Sequence, residues 1–161
     1  MINDLITQVG LGRDLSDEEV QRAVVFLTSE FADDTKADFL RALSAKGETS
    51  AEIAAFASAF LDRALPIDVT SDELSRPLID VCGTGGDRLG MFNVSTTSSF
   101  VIAAGGAAVA KHGNRGVSSR SGGADVLEAL GVKIDLEPAA AKENLVEHGF
   151  TFLFAQRYHP A

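Results

Sequence analysis

The run Asp80-Val81-Cys82-Gly83-Thr84-Gly85-Gly86-Asp87 restricts what this chain can fold into more than any other stretch. Residues 78–82 are short, mostly apolar and β-branched at Ile79 and Val81, which predicts a buried strand. The strand stops in Gly-Thr-Gly-Gly, where the backbone can take positive φ and approach a ligand with no Cβ in the way. Successive N–H groups in such a turn form an anion-binding nest. Beyond Asp87 comes Asn93-Val94-Ser95-Thr96 and then a helix-compatible run to Ala104, closed by Gly105-Gly106. Asn93 or Ser95 can cap that helix, whose first N–H groups would point back at the turn. A basic loop follows, Lys111-His112-Gly113-Asn114-Arg115, and then Ser118-Ser119. The glycine turn alone fits an ordinary strand-to-helix connection. Joined to a helix start and a basic loop, it describes a phosphate site.

Two common phosphate motifs are excluded. A dinucleotide fingerprint needs glycine three residues after Gly85, where the chain has Arg88, and no Gly-Lys-Ser/Thr of a P-loop occurs. Charge supports a small polyanionic ligand. The chain of 161 residues carries a net charge of −9, which argues against general attraction to nucleic acid. Between Gly83 and Arg120, however, four basic residues face the single acid Asp87, a local charge of +3 that leaves −12 for the remainder. A basic island in an acidic chain overlaps the glycine turn.

The rest of the chain predicts two parts. Residues 1–66 read as a helical bundle of four helices with short connections and therefore antiparallel neighbours. Ile2, Leu5, Ile6 and Val9 make one stripe. Ser16 with Glu19 and Thr49 with Glu52 are capping-box patterns, and Thr35 with Asp38 is a weaker cap. The second helix carries Val20, Val24, Leu27 and Phe31, and the phenylalanines of this part read as core. Residues 67–77 are polar, without a regular apolar period, and read as a linker. Residues 78–161 alternate strand and helix: strands at 78–82, 107–110 and 150–154, helices at 95–104, 124–130 and from Pro138 to His148, and a short strand or connector at 132–136. The fold class is therefore α/β, a helical bundle followed by an incomplete, mainly parallel α/β domain. Such a sheet looks unfinished with three or four strands.

Several residues admit two readings. Cys82, the only cysteine, reads as a buried structural thiol rather than a nucleophile. His112 reads as a hydrogen-bonded loop histidine, with a general base as the alternative. Asp125 and Glu128 lie one helical turn apart and could mimic a metal pair. Helix-start electrostatics for Asp125 and a solvated face for Glu128 account for them more simply. The sequence shows no signal peptide, polybasic tail or long apolar span, so the expected location is cytoplasmic, without membrane association.

Residues 80–87, 93–96, 111–119 and 123–131 together strongly resemble anthranilate phosphoribosyltransferase of tryptophan biosynthesis. The helical segment and the tail Phe152-Leu153-Phe154-Ala155…His159-Pro160-Ala161 are also similar to that family. The match covers nearly the whole chain but only about the first half of a family member. The resemblance implies a nucleoside phosphorylase/phosphoribosyltransferase-like fold and a pentosyltransferase that moves the phosphoribosyl group of phosphoribosyl pyrophosphate (PRPP) to anthranilate. It implies PRPP contacts from Gly83, Thr84, Gly86, Asp87, Asn93, Val94, Ser95, Thr96, Lys111, His112, Gly113, Asn114, Arg115, Gly116, Val117, Ser118, Ser119 and Gly123. Gly83, His112 and Asn114 would lie near anthranilate, and Ser95 would offer its hydroxyl to Mg2+. A homodimer through the helical part is a further implication. Met91 and Gly123 depart from the family, which usually has a hydroxyl residue at each position. The family's acidic metal pair and anthranilate arginine fall beyond Ala161, so the chain alone is expected to be poorly active or inactive. Two other readings are a pyrimidine nucleoside phosphorylase-like enzyme and a non-catalytic, nucleic-acid-binding relative. The intact Gly-Thr-Gly-Gly-Asp and Lys-His-Gly-Asn-Arg strings oppose the first, and the acidic balance outside the island opposes the second.

Overall fold

The computed structural model describes residues 2–30, 33–83, 92–116 and 121–160, which fall into two units: residues up to Ala64 together with those from His159, and Leu65–Tyr158. The first unit contains α1 (Ile2–Gly10), α2 (Asp17–Leu27), α3 (Asp33–Lys46) and α4 (Ser50–Leu61). Both capping boxes form. The Glu19 N–H donates to Ser16 Oγ at 3.3 Å and the Glu52 N–H to Thr49 Oγ1 at 3.2 Å, each answered by the glutamate accepting from the cap residue's N–H. The expected cap at Thr35 does not form, because α3 begins at Asp33 and its two leading aspartates already complement the helix dipole. Leu5, Val9, Val20, Ala23, Val24, Phe39, Leu43 and Ala59 form the core, with Phe56 and Phe60 partly buried against it. Phe31 lies outside the described residues.

Consecutive helices were expected to be the principal neighbours. Instead α1 packs mainly on α3 and α2 on α4. The buried carboxylate of Glu52, at the start of α4, ties this arrangement by accepting from the Leu15 N–H at 2.9 Å, just before α2.

The second unit is a three-stranded parallel sheet in the order β1 (Leu78–Ile79), β2 (Ala108–Gly113), β3 (Phe150–Phe154). Its helices are α5 (Ser71–Leu74), α6 (Val94–Ala104), α7 (Gly123–Ala129), α8 (Pro138–His148) and α9 (Ala155–Tyr158). Alternation along the strands separates two faces. Ala108, Ala110 and Leu153 join Leu74 of α5 and Ala141 and Leu145 of α8 in one apolar cluster. Phe152 and Phe154 join Ala124 and Leu127 of α7 in another, and Phe100 of α6 stacks on Phe150 with ring centroids 5.1 Å apart. Lys111 pairs in register with Phe152 and so belongs to this second face. The α8 helix starts at Pro138 and ends at Gly149, whose φ of +73° suits glycine.

Three expectations are corrected. The strand at 78–82 shortens to two residues, and its Leu78 and Ile79 side chains are 50% and 37% exposed because β1 pairs only with β2 among the described residues. Cys82 is exposed rather than buried, for the same reason. Of the two readings of residues 132–136 the structure takes the connector, with Ile134 and Leu136 buried in two different clusters. The stretch 67–77 is not a free linker. It contains α5, buries Leu74, and packs Ile67 and Val69 against the sheet core.

Candidate functional site

Parallel strands deliver their C-terminal ends to one edge, and helices that follow them begin there. At that edge Lys111 of β2 is 2% exposed, and its Nζ donates to the Val81 carbonyl at 2.7 Å and to Ser95 Oγ at 3.3 Å. One ammonium therefore joins the end of β1, the first turn of α6 and the end of β2. Gly83 belongs to the same point, since a Cβ built on it would lie 3.9 Å from Ser95 Oγ. The three segments singled out in the sequence converge.

Burial pushes the Lys111 pKa below that of an ordinary lysine, opposed by the proximity of Cys82 and Asp80. Among the described residues Lys111 makes no ion pair. A buried ammonium held only by a carbonyl and a hydroxyl is poorly compensated, and an anion arriving there would relieve it. Thr96 Oγ1, buried in the same first turn of α6, has no hydrogen-bond partner among the described residues. It sits under Gly123, where a Cβ would approach it to 3.0 Å. An orphaned hydroxyl beside a desolvated cation marks a place for a polar ligand.

Asn93 occupies the N-cap position of α6, but its side chain does not cap; Nδ2 donates instead to the Ser121 carbonyl at 3.5 Å. Ser95 stands inside the helix, not at its cap. Val94 is exposed at the helix start. His112 and Gly113 finish β2, and Asn114 and Gly116 continue from it. Asn114 turns its Oδ1 onto the Arg115 N–H at 2.8 Å. Thr84, Gly86, Asp87, Val117, Ser118 and Ser119 lie outside the described residues, as do Arg88 and Met91.

Three carboxylate roles escaped the sequence reading. Asp80 accepts from the His112 N–H at 3.1 Å through Oδ1, and its Oδ2 lies 2.9 Å from His112 Nδ1. A carboxylate can only accept, so Nδ1 carries the proton and the ring orientation is fixed. Asp125 accepts from the N–H groups of both Gly116 (2.9 Å) and Gly122 (2.7 Å), which holds its pKa below the usual carboxylate range. It fastens the chain on either side of residues 117–121. Glu128 is not a solvated bystander, because both of its oxygens accept from the Arg115 guanidinium. Arg115 also lies 3.6 Å from Asp125 and over the Phe154 ring, 5.7 Å from its centroid. The i, i+3 acidic pair on α7 was the available signal. Reading it required knowing that the basic loop folds back onto this helix.

No group of three metal-ligating His, Cys, Asp or Glu side chains occurs among the described residues, and the Ser95 hydroxyl faces an ammonium. No helix among them is long and apolar enough to cross a membrane.

Comparison with known proteins gives a consistent pattern. The helical bundle domain of a glycosyl transferase family matches residues 3–64, and the a/b domain of a glycosyl transferase family matches residues 75–161. Anthranilate phosphoribosyltransferase of Roseiflexus castenholzii is 47% identical over 161 residues, covering 99% of this chain and 46% of that protein. The enzyme of the same name from Methanocorpusculum labreanum is 47% identical over 162 residues, covering 100% of this chain and 47% of that one. The crystal structure of anthranilate phosphoribosyltransferase from Thermus thermophilus matches with a TM-score of 0.82 at 46% identity, over 98% of this chain and 47% of that one. The Saccharomyces cerevisiae enzyme, solved in complex with PRPP and Mg, shares the fold at 24% identity with a TM-score of 0.81, over 99% of this chain and 47% of that one. The chain thus spans about half the length of the curated relatives it matches.

Proposed function

Since the chain belongs to the glycosyl transferase family whose helical bundle and a/b domains it carries, we propose that it supplies the phosphate-binding part of an anthranilate phosphoribosyltransferase. In that reaction the bond from the anomeric carbon of PRPP to pyrophosphate breaks, and a bond from the same carbon to the anthranilate amine forms. The amine gives up one proton, and the products are N-(5-phosphoribosyl)anthranilate and pyrophosphate. The protein's work is positioning and charge stabilisation rather than covalent chemistry.

The observation that carries this reading is the buried Lys111 ammonium, in direct ion pair with no described carboxylate, where β1, α6 and β2 meet. Gly83 and the α6 start with Asn93, Val94, Ser95 and Thr96 frame a polyanion there, and Lys111 neutralises it. We assign Mg2+ to the phosphates of PRPP itself rather than to a protein cage. His112, held by Asp80, stands with Asn114 and Gly83 on the side proposed for anthranilate. A homodimer through the helical unit fits its exposed Leu11, Val25, Leu40, Ile53 and Leu61, and a cytoplasmic location fits the substrates.

Calorimetric titration tests the ligand directly. Mg2+-PRPP is expected to bind and NAD is not; tighter binding of NAD would overturn the reading. Lys111→Met should cost about 1.5–3 kcal/mol of PRPP affinity, the usual loss of a hydrogen bond to a charged group. The same substitution should leave thermal stability unchanged or higher, because it removes a buried charge without emptying its space. A Lys111→Met protein that binds PRPP normally would place the phosphates elsewhere. Turnover, followed by the loss of anthranilate fluorescence, is expected to be weak for the 161-residue chain and to rise when the C-terminal half of the Thermus relative is added. Equal turnover with and without that half would assign the anthranilate chemistry to this chain alone.

A further inference from the structure

Arg115 is among the residues that the resemblance gives to PRPP, yet Glu128 fills its guanidinium fork. Arg115 Nη1 donates to Glu128 Oε2, Nη2 donates to Oε1 at 2.9 Å, and Asp125 approaches Nη1 to 3.6 Å. The hydrogen bond to Glu128 is the leading cause that raises the Arg115 pKa above that of an ordinary arginine. A two-point guanidinium–carboxylate pair has the geometry a phosphate would use. The charge count is lopsided, with one cation facing two carboxylates. The arrangement is also open to exchange, since the Arg115 and Glu128 side chains are 47% and 41% exposed and water can take over the released carboxylate. The Phe154 ring, itself only 8% exposed, lies beneath the guanidinium and supports it from a face that Glu128 does not use.

We propose that Glu128 is a specificity-determining residue that occupies Arg115 in place of phosphate, so that only a multiply charged phosphate or pyrophosphate group displaces it. The inference rests on the reading that the basic loop meets the phosphates of PRPP. A singly charged anion offers the guanidinium no more than Glu128 already gives, whereas a phosphate dianion offers the same two-point geometry with more charge. Glu128 thereby lowers absolute affinity and raises discrimination, as an element that opposes the wrong ligand. On this basis Asp125, which lies farther from the fork and is engaged by two backbone N–H groups, is not displaced.

Inorganic pyrophosphate and PRPP are the probes, titrated calorimetrically into the chain in sodium chloride and in sodium gluconate at equal ionic strength. Glu128→Gln keeps the side-chain shape and removes the charge, and is expected to tighten pyrophosphate roughly threefold to tenfold, the range for releasing an exposed two-point ion pair. It should also make the affinity gluconate-sensitive, with binding several-fold weaker in gluconate than in chloride because a free carboxylate can take the vacated two-point site, whereas the wild type should differ little. In an Arg115→Ala background the gain from Glu128→Gln should vanish, as a double-mutant cycle requires for a directly coupled pair. Glu128→Asp, which keeps the charge but shortens the arm, provides a second reading and should also tighten binding. Unchanged or weaker pyrophosphate binding in both Glu128 variants, with the wild type binding normally, would overturn the proposal and make the pair a structural strut. A wild type that binds neither probe would instead overturn the phosphate reading, and the competitor role with it.

Discussion

Replacing Glu52 with glutamine is expected to destabilise the helical unit by about 3 kcal/mol, the lower end of what breaking a buried ion pair costs. The Glu52 side chain is fully buried and accepts four hydrogen bonds: from Lys46 Nζ at 2.7 Å, the Leu15 N–H at 2.9 Å, the Thr49 N–H at 2.8 Å and Thr49 Oγ1 at 3.0 Å. All four are donors. An amide brings one acceptor and one donor to a place built for two acceptors, so at least one N–H is left facing another. Urea unfolding followed by circular dichroism is the measurement, and a loss below about 0.5 kcal/mol, the scatter of ordinary surface substitutions, would mean that the site relaxes freely. Acid offers a second readout. Burial pushes the Glu52 carboxyl upward, but Lys46, Thr49 and Leu15 outweigh it and hold the group at about 2, against 4.5 unfolded. The carboxylate's contribution is therefore complete above pH 4.5 and lost as the pH falls from there toward 2. The E52Q variant should show a shallower loss of stability over that window than the wild type.

Gly122→Ala is expected to weaken PRPP binding at least about tenfold, equivalent to roughly 1.4 kcal/mol. The substitution forces no strained φ, since Gly122 already sits at −89°. The cost is collision. A Cβ would lie 2.3 Å from Gly116 N, 2.5 Å from Arg115 C and 2.6 Å from Asn114 O, all backbone atoms with no rotamer by which to retreat. The two chain segments would have to part, pulling the Gly116 and Gly122 N–H groups off Asp125, and forced overpacking of this kind costs about 1–3 kcal/mol. Gly10→Ala is the control, since nothing lies within 4 Å of its added Cβ. PRPP affinity that survives Gly122→Ala intact would show that the spacing between residues 114–116 and Gly122 does not position the phosphate contacts.

Local chemistry made much of this legible. The boxes at Ser16 and Thr49 announce α2 and α4, Pro138 and Gly149 bracket α8, and the apolar runs into Ala108 and Phe150 become β2 and β3. These features are set by neighbours within a few residues. What the sequence left hidden depends on distant partners. Leu78 and Ile79 read as buried because apolar β-branched runs usually are, but burial needs cover, and β1 has only β2 beside it among the described residues. Helix α5 is one turn long, too short to show a period, and is held by Leu74 packing and by Lys142 on Glu73 at 2.7 Å. The convergence of Gly83, Ser95 and Lys111 was anticipated from motif order. The carboxylates that orient the loop, Asp80 on His112 and Glu128 on Arg115, pair across 32 and 13 residues and carry no local signature.

The placement of Lys111 also bears on how the sheet chooses its alignment. Side chains alternate between faces, and here Ala110 pairs with Thr151 and Lys111 with Phe152. A shift of β2 by one residue would turn the lysine toward Leu145 and Leu153, in an apolar cluster with no carbonyl or hydroxyl arranged to receive it. Alanines alone could slide past this point at little cost, since Ala108 and Ala110 present the same small surface. The ammonium cannot, because only one alignment gives it Val81 and Ser95. The same charge proposed to meet the ligand therefore penalises misaligned pairings during folding, and the Lys111→Met chain would lose that protection along with its anion.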